Sequence, residues 1–413
     1  MTEYSVSIVI VSRRRPTALR RALLAVSQLQ YSTFEVIVVA DPKGLSVCTE
    51  LSFGTALKLI PFDIPNISAA RNLGLSHAAG QIVAFIDDDA VPEPQWLNYL
   101  TQPASRPEVG AMCGFVRGRN GISFQWQAAR VDADGVQHPI SVDPEQITLL
   151  TAAKGEAIKT EGTNMAFRRD ILAALGGFDA AFQYFLDETD LNMRLAREGH
   201  VTAVVPLAEV HHGFAGNSFR HVNRVPRDLF DIGASWAVFH RKHVARARHV
   251  ELWEVLRDAQ RKRLLNHLIA GGLEPRDVPR LMARLDQGHA EGKHRSFGTA
   301  PLAAEPVTPF ARFPSQARAS ILIATRPVRA RRDRQVALDR VKRGDVVTIL
   351  NLSPTALYHR TWFDDAGLWV QRGGLFGRSD RNTPLVQSTT RAARVEKERG
   401  RVANQRGFDQ ISA

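Results

Sequence analysis

The sequence is poor in cysteine, with two, Cys48 and Cys113, in 413 residues. Two thiols so far apart offer no disulfide framework and no zinc-type ligand spacing. The fold must therefore rest on an apolar core, and hydrophobic residues at 44% supply one. Long apolar runs are also missing. None approaches the ~20 residues that span a bilayer. The opening "MTEYSVSIVIVSRRRP" has no charged leader followed by an apolar stretch and a small-residue cleavage site. These two absences predict a cytoplasmic protein. Internal repeats are absent too.

Positive charge is in excess, and unevenly so. The formal net charge is +12. Residues 1–240 hold 21 Lys+Arg against 25 Asp+Glu, a net of −4, and residues 241–413 hold 33 against 17, a net of +16. The asymmetry separates two parts of the chain. A basic part suits nucleic acid, anionic lipid or a phosphorylated substrate, and equally a solvated arginine-rich surface. It contains no zinc spacing, no helix-turn-helix pattern and no stacked-aromatic signature, which makes nucleic acid an unlikely partner.

Residues 5–12, "SVSIVIVS", are β-branched and read as a buried strand. A helix follows, opened by Pro16, and then the strand "FEVIVVAD" at 34–41. Strand, helix and strand at this spacing imply a parallel βαβ unit. Residues 55–62 read as a third strand and 66–80 as a helix ending at a glycine. The next strand, Ile82 to Ile86, runs straight into Asp87, Asp88 and Asp89. The carboxyl ends of parallel strands are where open α/β sheets bind ligands. In extended chain Asp87 and Asp89 share a side and Asp88 faces away, so substitution of Asp88 should matter least. Paired carboxylates suit Mg²⁺ or Mn²⁺. A solvated acidic turn is the plainer alternative.

A second dense stretch is "EGTNMAFRRDILAALGGFDAAFQYFLDETDLNMRLAREGH", residues 161–200. Asp187, Glu188 and Asp190 crowd the start of its last helix, which the helix dipole alone would favour. "VTAVVPLAEVHHG" (201–213) is a strand ending in a histidine pair. Residues 226–290 read as helices and 291–318 as a linker. Residues 319–385 read as a small α/β or β-rich module, with "WFDDAGLWVQRGG" as a hairpin. Residues 386–413 read as a disordered basic tail.

Three stretches together resemble family 2 glycosyltransferases: "SIVIVSRRRPTALRRALLAVSQLQYSTFEVIVVAD", "NISAARNLGLSHAAGQIVAFIDDDAVPEPQWL" and "GTNMAFRRDILAALGGFDAAFQYFLDETDLNMRLAREG". The likeness covers roughly residues 5–213. It implies a GT-A-type fold over residues 1–225, an α/β Rossmann-like mixed sheet flanked by helices. The helical segment and the small C-terminal module would follow. It also implies an inverting transferase that uses a nucleotide-diphosphate sugar, Mn²⁺ or Mg²⁺, and a glycan, lipid-linked or other cell-envelope hydroxyl acceptor. Asp87 and Asp89 match the D-x-D motif, with Asp89 on the metal and Asp87 on the donor ribose or the metal's water shell. Arg71 matches a basic residue near the nucleotide. Glu188 stands where the family places the general base, and His211 near a histidine of the metal shell. Ser12 matches a donor-contacting threonine. The chain departs from the pattern at Arg14, where an asparagine is usual, at Ala40, where the base-contacting aspartate shifts to Asp41, and at Glu188, where an aspartate is usual and the longer side chain extends the reach of the base. A +16 half would suit peripheral contact with the anionic inner face of a membrane.

Two other readings fit parts of the sequence. A nucleotidyltransferase also uses a metal-binding acid pair on a doubly wound sheet, although "SRRRPT" lacks the glycines of its usual loop. A degenerate transferase domain carrying a basic binding half would also explain Ala40 and Arg14.

Overall fold

The computed structural model describes residues 3–213, 215–216 and 218–408. Strands β1 (Val6–Ser12), β2 (Phe34–Ala40), β3 (Leu57–Pro61) and β4 (Ile82–Asp87) pair in parallel, in the order β4, β1, β2, β3. Helix α1 (Pro16–Val26) joins the first two. Helix α2 (Pro42–Thr49), not foreseen from the sequence, leads towards β3. Helix α3 (Ile67–His77) precedes β4 and is capped by Asn66, whose side chain accepts a hydrogen bond from the Ala69 amide at 2.9 Å. It stops three residues short of Gly80.

Beyond β4 come β5 (Ala90–Pro92), α4 (Trp96–Leu100), β6 (Val109–Arg117) and β7 (Phe124–Trp126). Then come β8 (Ala129–Val131), β9 (Gln137–Pro139), β10 (Thr148–Leu150), β11 (Ala157–Lys159) and β12 (Met165–Arg168). Helices α5 (Arg169–Ala174) and α6 (Asp187–Arg197) and the long strand β13 (Val201–His212) complete this half. The main sheet runs β10-β13-β6-β12-β4-β1-β2-β3, with β5 on β13 and β7 on β6. Strand β12 is antiparallel to both of its neighbours. This is the mixed α/β sheet expected. Strands β11, β8 and β9 form a separate small sheet that the sequence reading did not separate out.

Alternation along the strands divides the core. Ile8, Ile10, Val36, Val38, Ala84 and Ile86 belong to the cluster that includes Leu19 and Leu23 of α1. Val9, Ile37, Val39, Val83 and Phe85 belong to the opposite cluster, with Leu75 of α3 and Leu191 of α6. Gly74 makes that second contact possible, since a Cβ there would lie 2.4 Å from a Val9 methyl. The same parity continues past the end of β4 and sorts the aspartates.

Helices α7 (Phe230–His243), α8 (His249–Ile269) and α9 (Asp277–Gly292) form the helical extension. The linker stretch is a strap laid over the first domain. Phe313 stacks on Phe34 at 5.1 Å between ring centroids, and its amide donates to the Phe34 carbonyl at 2.7 Å.

The C-terminal module has a four-stranded sheet of β14 (Ser320–Thr325), β15 (Val346–Ser353), β16 (Arg360–Phe363) and β17 (Trp369–Gly374), in the order β14-β15-β17-β16. Helix α10 (Ala330–Lys342) crosses between the first two strands, and β16–β17 is the foreseen hairpin. The expectation of a disordered tail is corrected. Helices α11 (Arg391–Arg401) and α12 (Ala403–Arg406) occupy that stretch, the first capped by Thr390. Composition misled here because the buried groups are charged. Arg394 and Arg406 are fully buried, and Glu398 pairs with Arg394 at 3.0 Å and accepts from Arg401 Nε at 3.0 Å. Residues 409–413 lie outside the described residues. No helix among the described residues is long and apolar enough to cross a membrane.

Candidate active site

The three aspartates have different surroundings. Asp87 has the parity of Phe85 and turns towards α3 and α6. It accepts a hydrogen bond from Thr163 Oγ1 at 2.8 Å and lies 3.5 Å from Arg71. Asp88 has the parity of Ser12 and turns towards α1. Fully buried, it accepts from Ser12 Oγ at 2.6 Å and from Arg15 Nε at 3.0 Å, and a second Arg15 nitrogen closes the pair. Burial pushes its carboxyl up to about 7, against the pull of Arg15. Asp88 faces away from Asp87 as expected, and its contacts anchor the loop after β1. Asp89 lies past the strand. Against the push of burial, His212, Arg15 and the Ala215 amide hold its carboxyl well below the usual range.

Strand β13 supplies the histidine, but not the one expected. Its register on β6 shifts between Val205 and Val210, which face Gly114 and Val116. The bulge presses against Gly114, where a Cβ would sit 1.8 Å from the Ala208 carbonyl oxygen. Beyond it, β5 pairs antiparallel with the strand end and sets His212 opposite Ala90, next to Asp89. His212 Nε2 lies 3.3 Å from Asp89 Oδ1. His211 faces away, with Nε2 2.8 Å from Glu93 Oε1 and its ring edge-on to Trp369. The metal-shell expectation thus moves by one residue. A two-residue side-chain period makes neighbours point apart, and the bulge decides which one points in.

Asp87, Asp89 and His212 each offer a ligand atom within 4.8 Å of the others. His212 Nδ1 lies 2.9 Å from Gln125 Oε1, an acceptor that would hold the Nδ1–H tautomer and leave the Nε2 lone pair for a cation when one is bound. Two carboxylates and an imidazole so arranged fit a divalent cation such as Mn²⁺.

Arg71 ties this group to α6. It is buried, with one guanidinium nitrogen against Asp187 and the other near Asp87 and the Gly162 carbonyl oxygen. Arg71, expected near the nucleotide, here bridges the two acidic motifs. Burial pushes Asp187 up to about 7 against the pull of Arg71. Glu188 follows the opposite course. Despite burial, Lys159 Nζ at 2.8 Å holds it down at about 2, ionised and able to accept a proton. The same ammonium reaches Glu161 at 3.0 Å.

A cleft of about 680 Å³ opens beside the carboxyl ends of the strands. Its lining includes Ser12, Arg13, Arg14, Arg15, Tyr184 and Arg227. Tyr184 and Phe219 stack at 3.9 Å, giving the cleft an aromatic wall. Asp41 is buried behind it and accepts from the Arg14 amide at 3.1 Å. Arg14 itself has φ +59°, a left-handed conformation that this bond helps to hold. The structure therefore assembles Asp87 and Asp89 in one group and Ser12 at the cleft wall. It sets Arg71 and Asp41 behind that surface.

Sequence reasoning missed His212, Lys159, Thr163 and Arg15. Lys159 carried one signal, a lone cation in the otherwise apolar strand "AIK". The distant pairings that give these residues their places carried none.

Residues 4–230, just over half the chain, match the sequence model of a family described as "Glycosyltransferase like family 2". The O-antigen biosynthesis protein RfbC of Myxococcus xanthus is 28% identical over 245 residues, which cover 54% of this chain and 18% of that protein. The succinoglycan biosynthesis protein ExoM of Rhizobium meliloti is 29% identical over 223 residues, 50% of this chain and 66% of that protein. The chain thus spans less than two thirds of the length of either relative. Among solved structures, the mannosyltransferase PcManGT from Pyrobaculum calidifontis, determined with GDP-Man and Mn²⁺, is 16% identical. It aligns with a TM-score of 0.42 over 71% of this chain and 88% of that one.

Proposed function

We propose, from the premise that this chain belongs to glycosyltransferase like family 2 and is a glycosyltransferase, that it transfers a sugar with inversion from a nucleotide-diphosphate sugar to a hydroxyl acceptor. The observation that carries the reading is the meeting of Asp87, Asp89 and His212 within 4.8 Å beside an arginine-lined cleft. Those three residues would hold Mn²⁺ or Mg²⁺. The cation, when bound, neutralises charge on a departing diphosphate.

The protein's own groups account for the rest. Arg13, Arg14 and Arg227 line the cleft as cations for the phosphates, while Tyr184 and Phe219 offer a stacking face to the base. Glu188 takes the acceptor's proton as its oxygen attacks the anomeric carbon. Lys159 keeps that carboxylate ionised until then. A positioned base of this kind contributes about 10²–10⁴-fold. Attack from the face opposite the leaving group inverts the anomeric centre. Arg71 holds Asp87 and Asp187 in one frame, so the donor side and the base side keep their spacing.

The acceptor we propose is a growing glycan or lipid-linked cell-envelope saccharide, in keeping with the biosynthetic roles named for RfbC and ExoM. The basic C-terminal half would draw the enzyme to the anionic inner face of a membrane. The test is a panel of nucleotide sugars incubated with the protein and Mn²⁺. Release of a nucleoside diphosphate from one of them supports glycosyl transfer. Release of pyrophosphate from a nucleoside triphosphate and a sugar phosphate would indicate nucleotidyl transfer instead.

A further inference from the structure

The C-terminal module is built into the back of the cation site. Strand β5 starts one residue after Asp89, and β13 ends on His212. The two lie side by side, with His211 opposite Val91 and His212 opposite Ala90. Val91 packs in one cluster with Val346, Phe363 and Trp369 of the module.

Arg406 is the centre of the contact. Fully buried, it forks onto Glu93, Nε to Oε2 and a terminal nitrogen to Oε1, both at 2.9 Å. Its third nitrogen donates to Thr348 Oγ1 at 3.0 Å, and its guanidinium carbon lies 4.2 Å from the centre of the Trp369 ring. Glu93 Oε1 also meets His211 Nε2 at 2.8 Å, and the His211 ring stands edge-on to Trp369 at 5.0 Å. One row away, Gln405 Nε2 reaches Glu209 Oε1 at 3.4 Å, and Glu209 is paired with Arg117 at 2.9 Å. A buried ion pair adds little net stability over apolar packing. A forked guanidinium–carboxylate contact does fix geometry.

We propose that Arg406, Glu93 and Trp369 are a positioning clamp. Through it the C-terminal module fixes β5 and the end of β13, and so sets Asp89 and His212 at the separation a divalent cation needs. This rests on the cation site proposed above. It gives the C-terminal module a part in the reaction without touching substrate.

The experiment uses the full chain and follows free Mn²⁺ by electron paramagnetic resonance during titration. Arg406→Gln should raise the Mn²⁺ dissociation constant about ten- to a hundredfold, the range that outer-shell changes reach. Arg406→Lys, which keeps the cation and loses the fork, should fall between. Gln28→Ala cuts a different bond to the module, a 2.8 Å contact with the Gly367 carbonyl oxygen, and should leave Mn²⁺ binding at the wild-type value. Wild-type Mn²⁺ affinity in a folded Arg406→Gln protein overturns the proposal. An equal loss in Gln28→Ala overturns it too, since that would report docking in general. If Arg406→Gln loses its near-ultraviolet circular dichroism, Trp369→Leu is read in its place, with the same expected loss and the same overturning result. Asp89→Asn separates the two claims. Should it bind Mn²⁺ like wild type, the cation site itself is misplaced. Should it lose Mn²⁺ while the clamp variants do not, only the clamp is wrong.

Discussion

Replacing Lys159 by Met tests the acidic end of α6 without any substrate. The ammonium lies 2.8 Å from Glu188 and 3.0 Å from Glu161, and its side chain is 2% exposed. Burial alone would raise the Glu188 carboxyl; Lys159, with smaller help from Asp187 and Arg71, instead takes it from 4.5 to about 2. A displacement of that size is worth about 3 kcal/mol. The sign follows from linkage. A carboxyl depressed in the folded state contributes stability above its unfolded value of 4.5, lost as pH falls towards 2. Lys159→Met should therefore cost about 3–5 kcal/mol at pH 7, the usual cost of leaving a buried charge without its partner. In the variant burial acts unopposed by the ammonium, so Glu188 takes up a proton at a higher pH and the penalty is relieved. The gap between wild type and variant should narrow steadily from pH 7 to pH 4.5. Urea unfolding across that range measures it. A gap below about 1 kcal/mol, or one that does not change with pH, would refute the pairing and the ionised state of Glu188 that rests on it.

Three further outcomes follow from other parts of the structure. Glu188→Gln should lower kcat about 10²–10⁴-fold and leave the donor dissociation constant unchanged; equal loss of both would mark a structural acid. Asp88→Asn, which weakens the hold on Ser12 and Arg15, should destabilise the protein by about 2 kcal/mol in thermal unfolding, and a neutral result would contradict its anchoring role. His240 and His289, buried between the helices of the extension, are each held by burial at about 4 rather than 6.5. The neutral rings favour the fold, so stability is complete above pH 6.5 and falls towards pH 4. At pH 5 each should have lost about 2 kcal/mol, seen as a lower Tm that His240→Gln partly restores.

The parts of this structure that could be read in the sequence are those whose cause is local. Ile8 to Ile10, Val36 to Val39 and Ile82 to Ile86 are β-branched or apolar without interruption, the pattern of strands buried on both faces. The place of Asp87 and Asp89 follows from the strand they end. His212 could not be separated from His211, because the bulge at Gly114 and Ala208 sets their parity and lies in pairing rather than in composition. Lys159 and Glu188 are far apart in sequence and meet only through the packing of β11 on α6. Helices α11 and α12 were hidden for a different reason. Their buried face is made of Arg394, Glu398 and Arg406, so a polar stretch concealed a packed one.

The central claim is that Asp87, Asp89 and His212 bind a divalent cation that in turn recruits a nucleotide diphosphate. Calorimetric titration of UDP, GDP and their sugars into the protein, with and without Mn²⁺, tests it most directly. One nucleotide should bind only when Mn²⁺ is present, and Asp89→Asn should abolish that binding while leaving the thermal transition in place. Nucleotide binding that ignores Mn²⁺, or that survives Asp89→Asn at wild-type strength, would contradict the account.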